Sequence, residues 1–199
     1  MSYPLTHIEG RHATPDELTL AHDARYVERV REIATAGGGR LDADTVVSEG
    51  SWDAATAAAG CVLDGVDMAF DGRAPRSFSA VRPPGHHALA ARGMGFCLFG
   101  NVALAAHYAR KRHGIGRVLI VDWDVHHGNG TQDACWTDGQ LAFFSSHRWP
   151  FYPGSGRAEE TGAAAGGKQR PARIHAGRLH PRTEEAGGQE IGTVPIFRA

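Results

Sequence analysis

The sequence predicts an α/β fold with a mostly parallel sheet flanked by helices. Three observations carry this. Val118-Leu119-Ile120-Val121 is a continuous apolar run, the pattern of a parallel strand covered on both faces. Segments with helical spacing of apolar residues alternate along the chain with strand candidates of this kind. The 199 residues are 42% hydrophobic and 22% charged, a balance that supports a buried core.

The elements follow in order. Thr14-Pro15-Asp16-Glu17 reads as a helix start: Thr14 caps, Pro15 suits the first turn and Glu17 completes a capping box. A second helix follows Asp23, with Tyr26, Val27, Val30, Ile33 and Ala34 on one face and Gly37-Gly38-Gly39 as its stop. A third runs from Ser51 toward Phe70 on a stripe of Trp52, Ala55, Ala59, Val62, Leu63 and Val66. Ser77 to Val81 is a short strand candidate ended by Arg82-Pro83-Pro84-Gly85. Phe99 to Arg112 is helical, with Gly114 as its stop. Arg117 to Asp124 is the clearest strand, and Leu141 to Ser145 is another. From Arg157 to Ala199 large apolar residues are sparse, which reads as loop or disorder; only Gly192 to Phe197 hints at a strand.

Bulk chemistry excludes several classes. The formal net charge of -1 gives no global field for nucleic acid or an anionic membrane. No stretch reaches the length of a membrane span, and His7, Glu9, Arg11 and His12 interrupt any signal-like start. Cys61, Cys97 and Cys135 are odd in number and widely spaced, so neither a disulfide framework nor a thiolate zinc site is expected. A reducing cytoplasm is the simplest compartment. The sequence leaves a homo-oligomer open.

The chemistry concentrates in four segments. In Asp122-Trp123-Asp124-Val125-His126-His127-Gly128-Asn129-Gly130, strand alternation puts Asp122, Asp124 and His126 on one face, at the carboxyl end of a buried strand. A carboxylate and an imidazole two residues apart can bind one zinc ion, whereas leaving two carboxylates and two histidines unpaired against an apolar strand is costly. Arg82-Pro83-Pro84-Gly85-His86-His87 delivers two histidines from a stiff turn, suited to a general base and an electrostatic partner, or else to two surface loop residues. Gly93 to Asn101 carries Phe96, a channel-lining residue or a core aromatic. Ser145 to Gly156 is an aromatic, Gly-rich loop after a strand, either a binding surface or a packed loop.

In this order, from about Thr14 to about Gly162, the four segments resemble the histone deacetylase family, most of all its class II-like bacterial branch. The resemblance implies an arginase/deacetylase-like fold, incomplete here at both ends, with a partial deacetylase domain over 1–162 and a divergent, poorly ordered tail over 163–199. It implies a zinc-dependent hydrolase that removes acetyl groups from lysine, in a histone or another protein, or from a similar small acetylated amine. Asp124 and His126 match two zinc ligands. His87 matches the main general base and His86 its charged or hydrogen-bonding partner, with Asp122 behind it. Asn129 stands where other branches have an Asp. Phe96 and Tyr152 match the walls of an acetyl-lysine channel, and Asp44 a rim carboxylate that holds the substrate backbone. Backbone carbonyls around Asp122, Asp124 and His126, with Ser145 and Ser146, match a structural potassium site.

The resemblance also implies a third zinc ligand, an Asp, and an oxyanion-stabilising Tyr, both downstream of the aromatic loop. The last Asp is Asp138 and the last Tyr is Tyr152, so a truncated and catalytically impaired chain is expected. The rival readings are a degenerate fragment that binds a partner or nothing, and an arginase-like two-manganese ureohydrolase. The second would need a later Asp-x-Asp, which this sequence does not contain.

Overall fold

The computed structural model describes residues 5–163 and, as backbone, two strands further on, Ile174–Arg178 and Gly192–Phe197. The start is fixed by charge. Helix α1, Pro15–Leu18, carries the expected capping box, with Thr14 and Glu17 bonded to each other's backbone N–H. Arg11 grips Glu17 at 2.7 Å and Asp64 at 3.0 Å, which pins α1 to helix α3, Ser51–Phe70. Between them helix α2, Ala24–Thr35, buries Tyr26, Val27, Val30 and Ala34, four of the five residues expected on its apolar face. A two-residue antiparallel ribbon follows, β1 (Gly39–Arg40) with β2 (Val46–Val47).

The main core lies among α1, α2, α3 and helix α4, Asn101–His113. Helix α4 ends at Gly114 in the left-handed conformation with φ 68°, the stop the sequence predicts, and its last turn holds Arg110, Lys111, Arg112 and His113 against the negative end of the helix dipole. The Tyr108 hydroxyl donates to Asp67 at 3.0 Å and His113 reaches the other Asp67 oxygen at 2.8 Å, locking α4 to α3.

Strand β3, Arg76–Val81, pairs antiparallel with β7, Gly192–Phe197, the segment whose sequence hints at a strand. Strand β4, Val118–Asp122, pairs parallel with β5, Leu141–His147, which pairs parallel with β6, Ile174–Arg178. Helix α5, Asn129–Cys135, lies between β4 and β5 in the chain. The α/β class is as expected, with the parallel pairing confined to β4-β5-β6. Strand β6 falls in the segment read as loop, and apart from β6 and β7 residues 164–199 lie outside the described residues. The segment just before it, 157–163, is tied down instead of loose: Glu160 N–H bonds to the Arg157 carbonyl and Ala163 N–H to that of Trp136. One expectation about β4 fails. Ile120 is buried in a second core cluster with Cys135, Leu141 and Phe143, but Leu119 is 64% and Val121 45% exposed, so only one face of the strand is covered. Among the described residues no helix is long and apolar enough to cross a membrane.

His22 joins these parts. It accepts the Gly100 N–H on Nε2 at 2.8 Å, so its proton sits on Nδ1, which bonds the Leu89 carbonyl at 3.0 Å. It thereby fixes both the entry to α4 and the loop after residue 87, wedged against Tyr26 and Phe99. Burial pushes His22 down from 6.5 to about 4. Between those values the unfolded chain takes up a proton that the folded chain refuses. Stability therefore falls as pH drops through the window, by roughly 3 kcal/mol at full extent, and levels off below it. Urea midpoints followed by circular dichroism are expected to fall from pH 7 to pH 4, and His22→Gln to flatten part of that slope.

Candidate active site

Strands β3 and β4 do not pair with each other, yet the loops that leave them meet. The meeting point is His86. Its carbonyl accepts the Gly130 N–H at 2.9 Å and the Thr131 N–H at 3.2 Å, at the start of α5, and its Nδ1 bonds Asp122 Oδ2 at 2.9 Å. The contact is close enough to require glycine: an ideal Cβ at Gly130 would lie 2.2 Å from the Ala88 carbonyl oxygen.

His87 follows with its ring 4.0 Å from that of His86. Its Nδ1 lies 2.8 Å from Asn129 Oδ1, and the amide nitrogen of Asn129 is turned to Met94 Sδ. An amide oxygen only accepts, so Nδ1 carries the proton and Nε2 the lone pair. Only 1% of His87 is exposed. That burial, reinforced by neighbouring His86, pushes it down to about 3 against the opposing bond from Asn129. The ring is a neutral base at physiological pH.

Asp122, Asp124 and His126 come together, but not by strand alternation as the sequence suggests. Strand β4 ends at Asp122. Beyond it the carboxylates bend the chain back on itself: Asp122 Oδ1 accepts the Asp124 N–H at 3.1 Å, and Asp124 Oδ1 accepts the His126 N–H at 2.7 Å. The outcome is a carboxylate oxygen 3.1 Å from His126 Nδ1. Two ligand atoms on one tetrahedral zinc ion stand about 3.3 Å apart, so this mixed oxygen and nitrogen pair fits as part of a zinc site. Among the described residues no group of three His, Cys, Asp or Glu side chains is placed to hold a metal ion. Ser145 pairs with Asp122 in the β4-β5 register, which sets the residues matched to potassium side by side; its hydroxyl donates to His147 Nδ1 at 2.8 Å.

The rim is aromatic. The ring of Tyr152 stands edge-on to His87 at 5.0 Å, and an ideal Cβ at Gly95 would lie 2.4 Å from His87 Cδ2 and 3.0 Å from Tyr152 Cε1. Phe96 is 54% exposed and holds a φ of 64°, which side chains other than glycine rarely adopt. Two hydrogen bonds hold that turn, Gly95 N–H to Asp44 Oδ1 at 3.2 Å and Phe96 N–H to Thr45 Oγ1 at 3.1 Å. Asp44, expected as a rim carboxylate for the substrate backbone, thus has one oxygen engaged by the protein's own backbone. Sequence reasoning did not single out Gln132, and although His147 and Ser155 lie in the loop read as a binding surface or a packed loop, neither they nor Glu160 were connected with His127, which all four surround.

Comparison with known proteins places this geometry. Residues 2–186 match the family model described as the histone deacetylase domain. The chain is 49% identical over 141 residues to an uncharacterized protein of Synechocystis, covering 71% of this chain and 46% of that one. It is 41% identical over 155 residues to a histone deacetylase-like amidohydrolase of Pseudomonas aeruginosa, covering 77% and 41%. The crystal structure of the HDA15 HD domain superposes with a TM-score of 0.76 at 42% identity, over 78% of this chain and 46% of that one, and it shares the arginase/deacetylase fold. The chain spans about half the length, or less, of the curated relatives it matches.

Gly130→Ala is expected to force the His86 loop away from α5. Overpacking of this kind costs roughly 1–3 kcal/mol. A lowered urea midpoint, with lost amide-exchange protection at Gly130 and Thr131, checks it.

Proposed function

The chain belongs to the histone deacetylase family, and on that premise we propose that its site serves the hydrolytic removal of an acetyl group from lysine, in a protein, or from a similar small acetylated amine. The observation that carries this reading is the pair of adjacent histidines beside Asp124 and His126. One histidine is backed by a carboxylate and the other by a neutral amide.

In this reading Asp124 and His126 hold zinc. The chemistry that zinc supplies when bound is polarisation of an amide carbonyl and acidification of water. His87 receives a proton on Nε2, the nitrogen that Asn129 leaves available, and returns it to the departing amine. His86, held by Asp122, serves as a charged or hydrogen-bonding partner beside His87. Phe96 and Tyr152 flank the methylenes of the acylated side chain, with the Tyr152 ring standing edge-on to His87. Acetate and a free amine leave. A potassium ion among the backbone carbonyls of Asp122, Asp124 and His126, with Ser145 and Ser146, belongs to the same proposal as a structural element.

A second reading has its own support. Because no third donor joins Asp124 and His126 among the described residues, an impaired site that holds metal weakly is the alternative. Elemental analysis of the purified chain and hydrolysis of an acetyl-lysine amide separate the two. Stoichiometric zinc with turnover supports the hydrolase; little zinc and no turnover supports the impaired site.

In an active preparation His87→Ala is expected to lower turnover roughly a hundredfold to ten-thousandfold with zinc content unchanged. Parallel loss of zinc and activity would make His87 a ligand instead of a base.

A further inference from the structure

The loop that carries Tyr152 leaves β5 at His147 and is closed at its base by a chain of side chains that the proposed chemistry does not use. Ser155 Oγ lies 2.9 Å from His127 Nδ1, and His127 Nε2 lies 2.6 Å from Gln132 Oε1. The Gln132 amide donates to Glu160 Oε2 at 2.6 Å. Glu160 in turn accepts the Gly156 N–H at 3.0 Å and the Arg157 N–H at 3.1 Å. A parallel branch runs from the Ser145 hydroxyl to His147 Nδ1, and from His147 Nε2–H to the Gly156 carbonyl at 2.9 Å.

The direction of every bond is determined. Glu160 accepts only, so Gln132 presents its amide nitrogen to Glu160 and its oxygen to His127. His127 therefore donates from Nε2 and accepts the Ser155 hydroxyl on Nδ1. His127 and His147 are 1% and 2% exposed, with rings 4.6 Å apart, and Gly156 is wedged against them at φ 90°. An ideal Cβ at Gly156 would lie 2.4 Å from His147 Nε2 and 2.6 Å from His127 Cγ. Two residues before Gly156, Gly154 N–H bonds the Phe151 carbonyl at 2.7 Å, so the fixed base leads directly into the turn that bears Tyr152.

We propose that Gln132, Glu160, His127 and His147 are positioning residues, and that their hydrogen-bond chain from α5 sets where Tyr152 stands over His87. In the proposed reaction they act through Tyr152 on substrate binding and not on the proton transfer. The placement of the ring rests on the geometry alone; only its effect on turnover rests on the proposed function.

The test uses a polarity swap in the full 199-residue chain. Gln132→Glu sets two carboxylates at the 2.6 Å contact, and adding Glu160→Gln restores a donor facing an acceptor there, at the loss of one backbone acceptor because the same Oε2 also takes the Gly156 N–H. The first readout needs no activity: the proton shifts of the His87 imidazole, which feel the ring current of Tyr152 and are identified by their change in Tyr152→Leu. Gln132→Glu is expected to move them toward the Tyr152→Leu values and to speed amide exchange over 151–157 roughly tenfold or more, and the double variant to recover part of both. Should Gln132→Glu not fold, Glu160→Gln alone, at a half-buried carboxylate, is expected to give the same changes in smaller measure. Where turnover is present, KM rises while kcat changes little. The proposal is overturned if the His87 shifts stay in place in a folded Gln132→Glu or Glu160→Gln chain, or if the double variant remains as perturbed as the single. Intact shifts and exchange with no turnover in the parent chain would count against the proposed function and leave the positioning chain standing.

Discussion

The join at His86 is the contact on which the arrangement of the site depends. Strands β3 and β4 stand in different sheets, so no backbone ladder relates the loop with the paired histidines to the loop with Asp124 and His126. His86 makes the join instead, with its carbonyl capping the first turn of α5 and its ring bonded to Asp122, and the His87–Asn129 bond adds to it. Both groups come from the same short segment, so shifting either displaces the other. The glycines of the Gly128-Asn129-Gly130 turn follow from that closeness: an ideal Cβ at Gly128 would lie 2.2 Å from Asp122 Oδ2, as one at Gly130 would lie 2.2 Å from the Ala88 carbonyl oxygen. Composition at 128 and 130 is dictated by approach distance, and Asn129 between them is thereby delivered to His87.

Burial without charge is the second theme. His22, His87 and His127 are each pushed below the ordinary histidine value chiefly by burial, and each has Nδ1 or Nε2 committed to a partner that fixes its tautomer. A neutral imidazole is both donor and acceptor, so it can link two otherwise unsatisfied polar groups inside a core without bringing in a charge. Twelve histidines in 199 residues look like a surplus in the sequence. Several serve as these two-ended connectors, and His87 differs in having its second nitrogen left for chemistry.

Local signals were legible in the sequence. The capping box at Thr14, the left-handed stop at Gly114 and the strand at Gly192 to Phe197 each rest on a few neighbouring residues. The convergence of Asp124 and His126 was also foreseen, although the physical cause is carboxylates bonding the backbone two residues on, which takes over where the strand stops. What could not be read depends on partners far along the chain. Ser155 and Glu160 lie 28 residues from the His127 and Gln132 atoms they bond, and His22 bonds groups 67 and 78 residues away. Strand β6 has a single large apolar residue, Ile174, and exists through its ladder with β5, not through its own pattern. The apolar run of β4 forecast cover on two faces, yet Leu119 and Val121 remain open, since a sequence pattern states what a strand requires and not what lies beside it.

The turn at Phe96 ties the rim to a distant part of the chain. A side chain held in the left-handed region costs of order 1–2 kcal/mol relative to its ordinary conformations. Here that cost is offset by two hydrogen bonds that Asp44 and Thr45 accept from the Gly95 and Phe96 N–H groups, and Asp44 sits on the exposed connection between β1 and β2. Both acceptors lie 51 residues earlier in the chain, so the backbone of the Phe96 turn is set by the ribbon that carries them, and losing either bond leaves the strain less offset.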